Sequence, residues 1–243
     1  MTAADTRPST LYLVPVLLGA TDWRTSLPEN SVQQARRLTH YVAENAKSAR
    51  AFLKAIDHVL PLREIVIDEL PPSPAPTDIE KLLAPLSQGI DLGLVSEAGC
   101  PAVADPGALL VRRAHELGFG VRPLVGPSSL LLALMASGLD GQRFAFHGYL
   151  PRREPQRGER IRALEKESAR LQQTQIFIEA PYRNGALFES LLRHCAPATL
   201  LCVASALTLP EEKIRTRRIA DWRENQTIDP DQPSVFLLLA ERS

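Results

Sequence analysis

Three short segments carry residue types suited to holding a small polar ligand. They are Ser96-Glu97-Ala98-Gly99-Cys100-Pro101-Ala102-Val103-Ala104-Asp105-Pro106-Gly107, then Val125-Gly126-Pro127-Ser128-Ser129, then Ile178-Glu179-Ala180-Pro181-Tyr182-Arg183. Each combines small residues, which let a ligand approach the backbone, with proline, which fixes the loop, and each leads into a helix whose first amides lack intrahelical partners. Glu97 follows a strand end where local structure has no need of charge, so its carboxylate is available to accept hydrogen bonds from hydroxyl or amino groups; Glu179 also follows an apolar strand, with Arg183 four residues on as a partner for an ion pair. None of the three is a G-x-G-x-x-G or Walker loop, which argues against a nucleotide phosphate as the guest. A fourth stretch, 152–170, holds seven Lys/Arg against four Glu and begins with Arg152 and Arg153. Its charge suits phosphates, or else a solvated helix face laced with ion pairs.

The elements that must position these loops follow from hydrophobic period. Residues 11–18 form a continuous apolar run, the pattern of a strand covered on both faces. Ser31 is placed to cap a helix with Val32, Ala35, Leu38 and Val42 at helical spacing, and a second amphipathic helix covers 46–56. A short strand at 64–67 runs into a proline-rich connection at 70–76, which cannot be helical throughout. Helix 78–86, strand 91–95, helix 106–117, strand 120–125 and an apolar helix ending at Gly138 complete an alternation that predicts a mostly parallel α/β sheet. Asp105, Pro106 and Gly118 supply the cap, first-turn and stop signals for helix 106–117. Beyond it, strands at 144–150, 175–178, 199–204 and 234–240 enclose helices ending near Gln172 and spanning 184–195. The expected organisation is an N-terminal arm over 1–10, one α/β domain over 11–122 and a second over 123–243.

At this point the motifs resemble a known family. S-E-A-G-C-P-A-V-A-D-P-G is similar to the S-D-A-G-T-P-x-x-S-D-P-G signature of the bacterial 16S ribosomal RNA (cytidine-2′-O)-methyltransferases, within the tetrapyrrole methylase superfamily. V-G-P-S-S-L-L-L-A-L-M-A-S-G-L, F-A-F-H-G-Y-L-P and I-F-I-E-A-P-Y-R resemble three further family motifs in the same order. The resemblance implies two α/β domains of the tetrapyrrole methylase type with an S-adenosylmethionine (SAM) cleft between them, and a homodimer. Near the N-terminus V-P-V-L-L-G-A-T-D keeps Pro15, Gly19 and Asp22 of the family's A-T-P-I-G-N-L-x-D. The family's C-E-D-T-R-x-T stands here as Ala43-Glu44-Asn45-Ala46-Lys47-Ser48-Ala49, with Asp lost and Arg replaced by Lys. Its R-E-L-T-K stands as Ser205-Ala206-Leu207-Thr208-Leu209, and its H-N-E stretch is replaced by the proline run. The SAM-facing motifs are therefore better kept than those facing the methyl acceptor.

Residue by residue, the resemblance assigns SAM contacts to Pro15, Gly19, Ser96, Glu97, Ala98, Gly99, Pro101, Asp105, Gly126, Ser128, Ser129, Ile178, Glu179 and Ala180. Catalytic candidates are Glu44, Lys47 and Glu97, and substrate contacts fall to Tyr182, Arg183, Arg152 and Arg153. Each has a structural alternative. Asp105 can be a helix cap, Ser128 and Ser129 can cap the following helix, and Glu179 can simply pair with Arg183. The five histidines are scattered without ligand spacing, and Cys100, Cys195 and Cys202 form no C-x-x-C pair, so neither a metal site nor a disulfide framework is expected.

Composition bounds the function. Hydrophobic residues at 44% and charged residues at 23% of 243 exclude a disordered or fibrous chain. The eight-residue run at 11–18 is too short for a bilayer and no basic leader precedes it, so no membrane and a cytoplasmic location are expected. The balance of 28 Lys+Arg against 28 Asp+Glu removes any argument from net charge for a polyanionic partner, so ribosomal RNA would have to meet local patches. The leading expectation is a SAM-dependent methyltransferase acting on a ribose 2′-hydroxyl of ribosomal RNA. Methylation of a small molecule or another RNA, and SAM binding without catalysis, are the alternatives.

Overall fold

The computed structural model describes residues 9–224 and 228–241. The chain divides into two compact units, the first running to Ser128 and the second starting at Ser129. Most of the N-terminal arm expected over 1–10 lies outside the described residues, and Thr10 already belongs to a strand.

In the first unit, the chain order is β1 (Thr10–Leu13), α1 (Glu29–Ala35), β2 (His40–Ala43), α2 (Ala46–Ala55), β3 (Val66–Glu69), α3 (Pro76–Ser87), β4 (Leu92–Val95), α4 (Gly107–Glu116) and β5 (Gly120–Pro123). The five strands form one sheet in the order β3-β2-β4-β1-β5, and every pairing is parallel. Successive side chains of a strand point to opposite faces, and both faces here are covered. Leu11, Val42, Leu92 and Leu94 pack with Leu82, Leu83 and Leu110 of α3 and α4. Tyr12 and Tyr41 pack on the other face with Val32, Ala35, Phe52 and Leu53 of α1 and α2. Because β5 pairs with β1, it belongs wholly to this unit, whereas the sequence places the division inside it.

Three local expectations change. The run at 11–18 is not one strand: Pro15 has no N–H for a ladder, and the chain leaves β1 with Val14 N–H donating to Leu94 O (2.8 Å) and Val16 N–H to Gly99 O (2.9 Å). Val42 is not helical. α1 ends at Ala35, and Tyr41, Val42 and Ala43 are claimed by the buried centre of the sheet, where tertiary burial overrides a helix-like spacing. Ser31 lies inside α1 rather than capping it, and its hydroxyl donates to Val125 O at 2.7 Å.

The second unit contains α5 (Ser129–Ser137), β6 (Phe144–Tyr149), α6 (Gln156–Leu171), β7 (Thr174–Glu179), α7 (Asn184–His194), β8 (Leu200–Ser205), β9 (Lys213–Arg218), α8 (Ile219–Glu224) and β10 (Ser234–Leu239). Its sheet has the order β6-β7-β10-β8-β9 and is mixed: β6 and β7 are parallel, and the remaining pairs are antiparallel. The mostly parallel sheet predicted from sequence therefore describes the first unit alone. β9 and α8 were not predicted, because Lys-Ile-Arg-Thr-Arg-Arg alternates weakly and carries charge at most positions. The core on one face joins Phe177, Val203 and Phe236 to Ile161, Leu164, Leu187, Leu191 and Trp222. Phe177 stacks on Phe236 with centroids 6.0 Å apart, and the Trp222 indole N–H donates to Leu201 O at 2.9 Å.

The centre of the first sheet is intolerant of volume. A Cβ at Gly93 would lie 2.6 Å from two ring carbons of Tyr41, whose hydroxyl is tied to Ala35 O. Gly93→Ala is expected to cost about 1–3 kcal/mol in urea unfolding, the range for forced overpacking; an unchanged midpoint would contradict this packing.

Candidate functional site

The carboxyl edge of the first sheet gathers most of the predicted residues. The loop 96–107 leaves β4 there, and its shape is set by backbone contacts. Asp105 accepts from the Ala102 N–H (2.9 Å to each oxygen) and from the Gly107 N–H (2.8 Å), clasping the loop on both sides of its turn. α4 begins one residue later than the sequence suggests, with Pro106 at the cap position, so the Asp105 carboxylate serves both the helix start and the loop. The clasp holds Ala102 and Ala104 at φ 64° and 66°, a region alanine rarely occupies. Ser96 is buried and its hydroxyl donates to Ala98 O (3.3 Å), while Gly99 bridges to Val16. Pro101 is buried, and Cys100 Sγ donates to Pro127 O (3.4 Å). Burial pushes the Cys100 thiol above its ordinary value.

Pro15 and Gly126 are in direct apposition: a Cβ on Gly126 would lie 2.3 Å from Pro15 Cβ and Cγ. The loop after β1 and the loop after β5 thus approach at backbone distance, as the sequence suggests for small residues at strand ends. Gly19 lies farther along the first of these loops, half-buried. Ser128 and Ser129 are half-buried at the entry to α5.

Three carboxylates converge at this edge. Glu44 follows β2, is half-buried, and accepts from the Glu97 backbone N–H. Burial, followed by the charges of Asp105 and Glu97, pushes its pKa above the ordinary glutamate range, with the Glu97 N–H opposing. Asp105 is also raised, because burial outweighs the Gly107 and Ala102 amides. Glu97 itself is exposed, and Ser48 Oγ donates to it at 3.5 Å. A carboxylate raised by burial, with like charge adding to it at Glu44, is a stronger proton acceptor than an ordinary one. Lys47 is exposed in the first turn of α2, its N–H taken by the Asn45 side chain (2.9 Å). Sequence reasoning did not find Glu69, whose carboxylate accepts from Ala46 N–H (2.8 Å) and fixes the start of α2 beside Glu44. The only signal was its place at the end of a strand.

The second unit holds a separate cluster at the end of β7. Glu179 is 5% exposed; its Oε1 is 2.5 Å from Arg183 and accepts from the Ala180 N–H (2.8 Å), with Ile178 and Ala180 half-buried beside it. The ion pair posed as the structural alternative is present, yet it leaves polar atoms over. Glu179 Oε2, Arg183 Nε and Asn184 Oδ1 are buried without hydrogen-bond partners among the described residues. Such groups are costly unless something else meets them. Tyr182 is 79% exposed with the Arg183 guanidinium 5.4 Å from its ring centre. Arg152 and Arg153 are exposed. Farther along the basic stretch, Arg157 pairs with Glu154 (3.4 Å), and Arg160 and Arg162 donate to His147 and His194 (3.2 and 2.7 Å). Part of that stretch is therefore committed to internal contacts. Among the described residues no group of three or more His, Cys, Asp or Glu is placed to hold a metal ion, and no helix is long and apolar enough to cross a membrane.

Comparison with known proteins places this geometry in context. The family described as Tetrapyrrole (Corrin/Porphyrin) Methylases matches residues 10–222. "Ribosomal RNA small subunit methyltransferase I" of Xylella fastidiosa is 32% identical over 225 residues, covering 93% of this chain and 78% of that protein. The protein of the same name from Pseudomonas aeruginosa is 42% identical over 111 residues, 46% of this chain and 37% of that protein. Among solved structures, the methyltransferase CobJ superposes with TM-score 0.62 at 19% identity over 96% of this chain and 94% of its own. The cobalt precorrin-4 methyltransferase CbiF gives 0.62 at 14% identity over 98% of each chain. At these identities the structural likeness speaks for the fold.

The acidic edge yields a pH-dependent prediction. A carboxyl whose folded pKa is raised stabilises fully only below its unfolded pKa and loses that contribution as pH rises through the folded value. Relative to Glu44→Gln, the native chain is therefore expected to gain thermal stability as pH is lowered from neutral into the ordinary glutamate range. Paired melts of the two proteins across that window check this, and a pH-independent difference would show that Glu44 is not perturbed.

Proposed function

We propose, from the premise that this chain belongs to the tetrapyrrole (corrin/porphyrin) methylase family, that it is a SAM-dependent methyltransferase acting on a ribose 2′-hydroxyl of ribosomal RNA, in line with 16S ribosomal RNA (cytidine-2′-O)-methyltransferases. The observation that carries the reading is the clasped loop 96–107 with Glu44 and Glu97 beside it, in a chain related along 93% of its length to a ribosomal RNA methyltransferase.

The residues present fit SAM. Its amino acid and ribose ends need backbone amides, carbonyls and an acceptor at close approach. The clasped loop offers these through Ser96, Glu97, Ala98, Gly99 and Pro101, with Asp105 fixing its shape. Pro15, Gly19 and Gly126 keep the neighbouring loops narrow, and the start of α5 at Ser128 and Ser129 suits a carboxylate. In the second unit, taken by itself, Glu179 Oε2 is a buried acceptor with no donor among the described residues, beside Ile178 and Ala180. When bound, SAM supplies an activated methyl group.

The chain's own task is to hold a hydroxyl in line with that group and take its proton. Positioning is the larger part, since alignment at short range removes much of the entropic barrier. A ribose hydroxyl is a poor nucleophile, and Glu44 is the group we assign to accept its proton at Oε, with burial first and the Asp105 charge second raising its pKa. Tyr182, Arg183, Arg152 and Arg153 remain the candidate RNA contacts, Tyr182 by stacking and the arginines by phosphate pairing. Leu131 and Met135 on α5, 52% and 80% exposed, leave an apolar surface consistent with assembly as a homodimer.

Purified chain with labelled SAM and ribosomal RNA is expected to yield a 2′-O-methylnucleoside on digestion. Glu44→Gln should lower kcat by about 10²–10⁴ while SAM affinity is unchanged. Label appearing only on a base, or none at all, would count against the reading, and an unaltered kcat in the variant would remove Glu44 from it.

A further inference from the structure

The strand missed by the sequence borders a cavity contained within the second unit. Lys213, Arg215 and Arg217 alternate along β9, opposite Ser205, Val203 and Leu201 of β8, so all three cations stand on one face of an edge strand. Successive members are about 7 Å apart along the strand. Arg217 stacks on Trp222, its guanidinium 5.3 Å from the ring centre. Lys213 and Arg215 also line an open cavity of about 540 Å³, with Val203, Trp222, Ile228 and Pro230 on its apolar side. Ser205, Glu211, Asp229 and Gln232 supply its polar lining.

Charge on an edge strand deters pairing with other chains, but that purpose requires no cavity beside it. The cavity is within the usual size range of small-ligand sites, roughly 300–1,000 Å³. Its chemistry is divided: the cations are strung along the strand, and Glu211 and Asp229 carry acceptors. A free phosphate or sulfate would be repelled by the two carboxylates. A nucleotide satisfies both halves, with its phosphates on the row of cations and a base inside, where the exocyclic amine of cytosine or adenine donates to carboxylate and the ring rests on apolar side chains.

We propose that the β9 row and the cavity beside it form a docking site for a single-stranded nucleotide of the RNA, with Lys213 and Arg215 on the backbone phosphates and Glu211 and Asp229 reading an amino-bearing base. The inference rests on the RNA-methylation reading and adds to it a second contact, contained within the second unit. It also bears on the neutral composition, because it adds a local cationic row to the phosphate contacts assigned to Arg152, Arg153 and Arg183.

Fluorescence anisotropy with labelled single-stranded oligocytidine, oligoadenosine and oligouridine, over a range of salt, tests it on the whole chain. The native chain should prefer the cytidine and adenosine strands to uridine, which has no exocyclic amine. Lys213→Ala combined with Arg215→Ala should weaken binding about tenfold or more and lower the salt slope by about 2. Glu211→Gln combined with Asp229→Asn should abolish the base preference, and SAM affinity should be unchanged in both variants as a check on folding. Equal affinity and slope in the Lys213/Arg215 variant, with methyl transfer to RNA intact in the native chain, would overturn this site while leaving the methylation reading standing. Failure of the native chain both to bind RNA and to methylate it would overturn both.

Discussion

The Asp105 carboxylate determines how the first unit presents its ligand edge. By accepting from Ala102 and Gly107 at 2.8–2.9 Å, it holds two alanines at positive φ and brings α4 up against the loop after β4. That backbone costs free energy and persists only because the loop is tied at several points: at Asp105, at the Val16 to Gly99 bridge and at the contact of Cys100 with Pro127. Burial that raises the pKa of Asp105 shows how enclosed the clasp is. Two further features stand at the same edge. Pro15 can sit against Gly126 only where the loops are drawn together, and Glu44 is pushed up partly by the charge of the clasp itself.

Much of this was legible in the sequence because chemistry and backbone demand coincide there. Asp-Pro-Gly after a small-residue loop announces both a cap and a constrained turn, and the continuous apolar strands announce a sheet covered on both faces. Legibility failed where a local pattern had two readings. Val42 fits a helical face and a buried strand equally, and only the neighbours Tyr41 and Ala43 in the centre of the sheet decide between them. Pro15 stopped β1 early because a ladder needs an N–H that proline lacks. β9 was invisible because charge hides alternation: Lys213, Arg215 and Arg217 read as surface residues until the partner strand β8 gives them a common face. Glu179 shows a further limit. Its pairing with Arg183 could be anticipated from spacing, but not the buried Oε2 and Asn184 Oδ1 left without donors among the described residues.

The two units divide the electrostatic work. Carboxylates converge on the edge of the first, where burial raises Asp105 and burial with the Asp105 charge raises Glu44, the group suited to proton transfer. Cations dominate the basic stretch and the β9 row of the second, where phosphate contact is the natural use. The net charge of zero is thus the sum of two opposed local fields, each matched to a different part of the chemistry.

Hydrogen–deuterium exchange of the intact chain with and without SAM tests the central claim most directly, because it reads the backbone amides themselves. SAM is expected to slow exchange at the amides of 98–107 and of 126–130, the clasped loop and the entry to α5. Saturating SAM with exchange in both segments unchanged would contradict it.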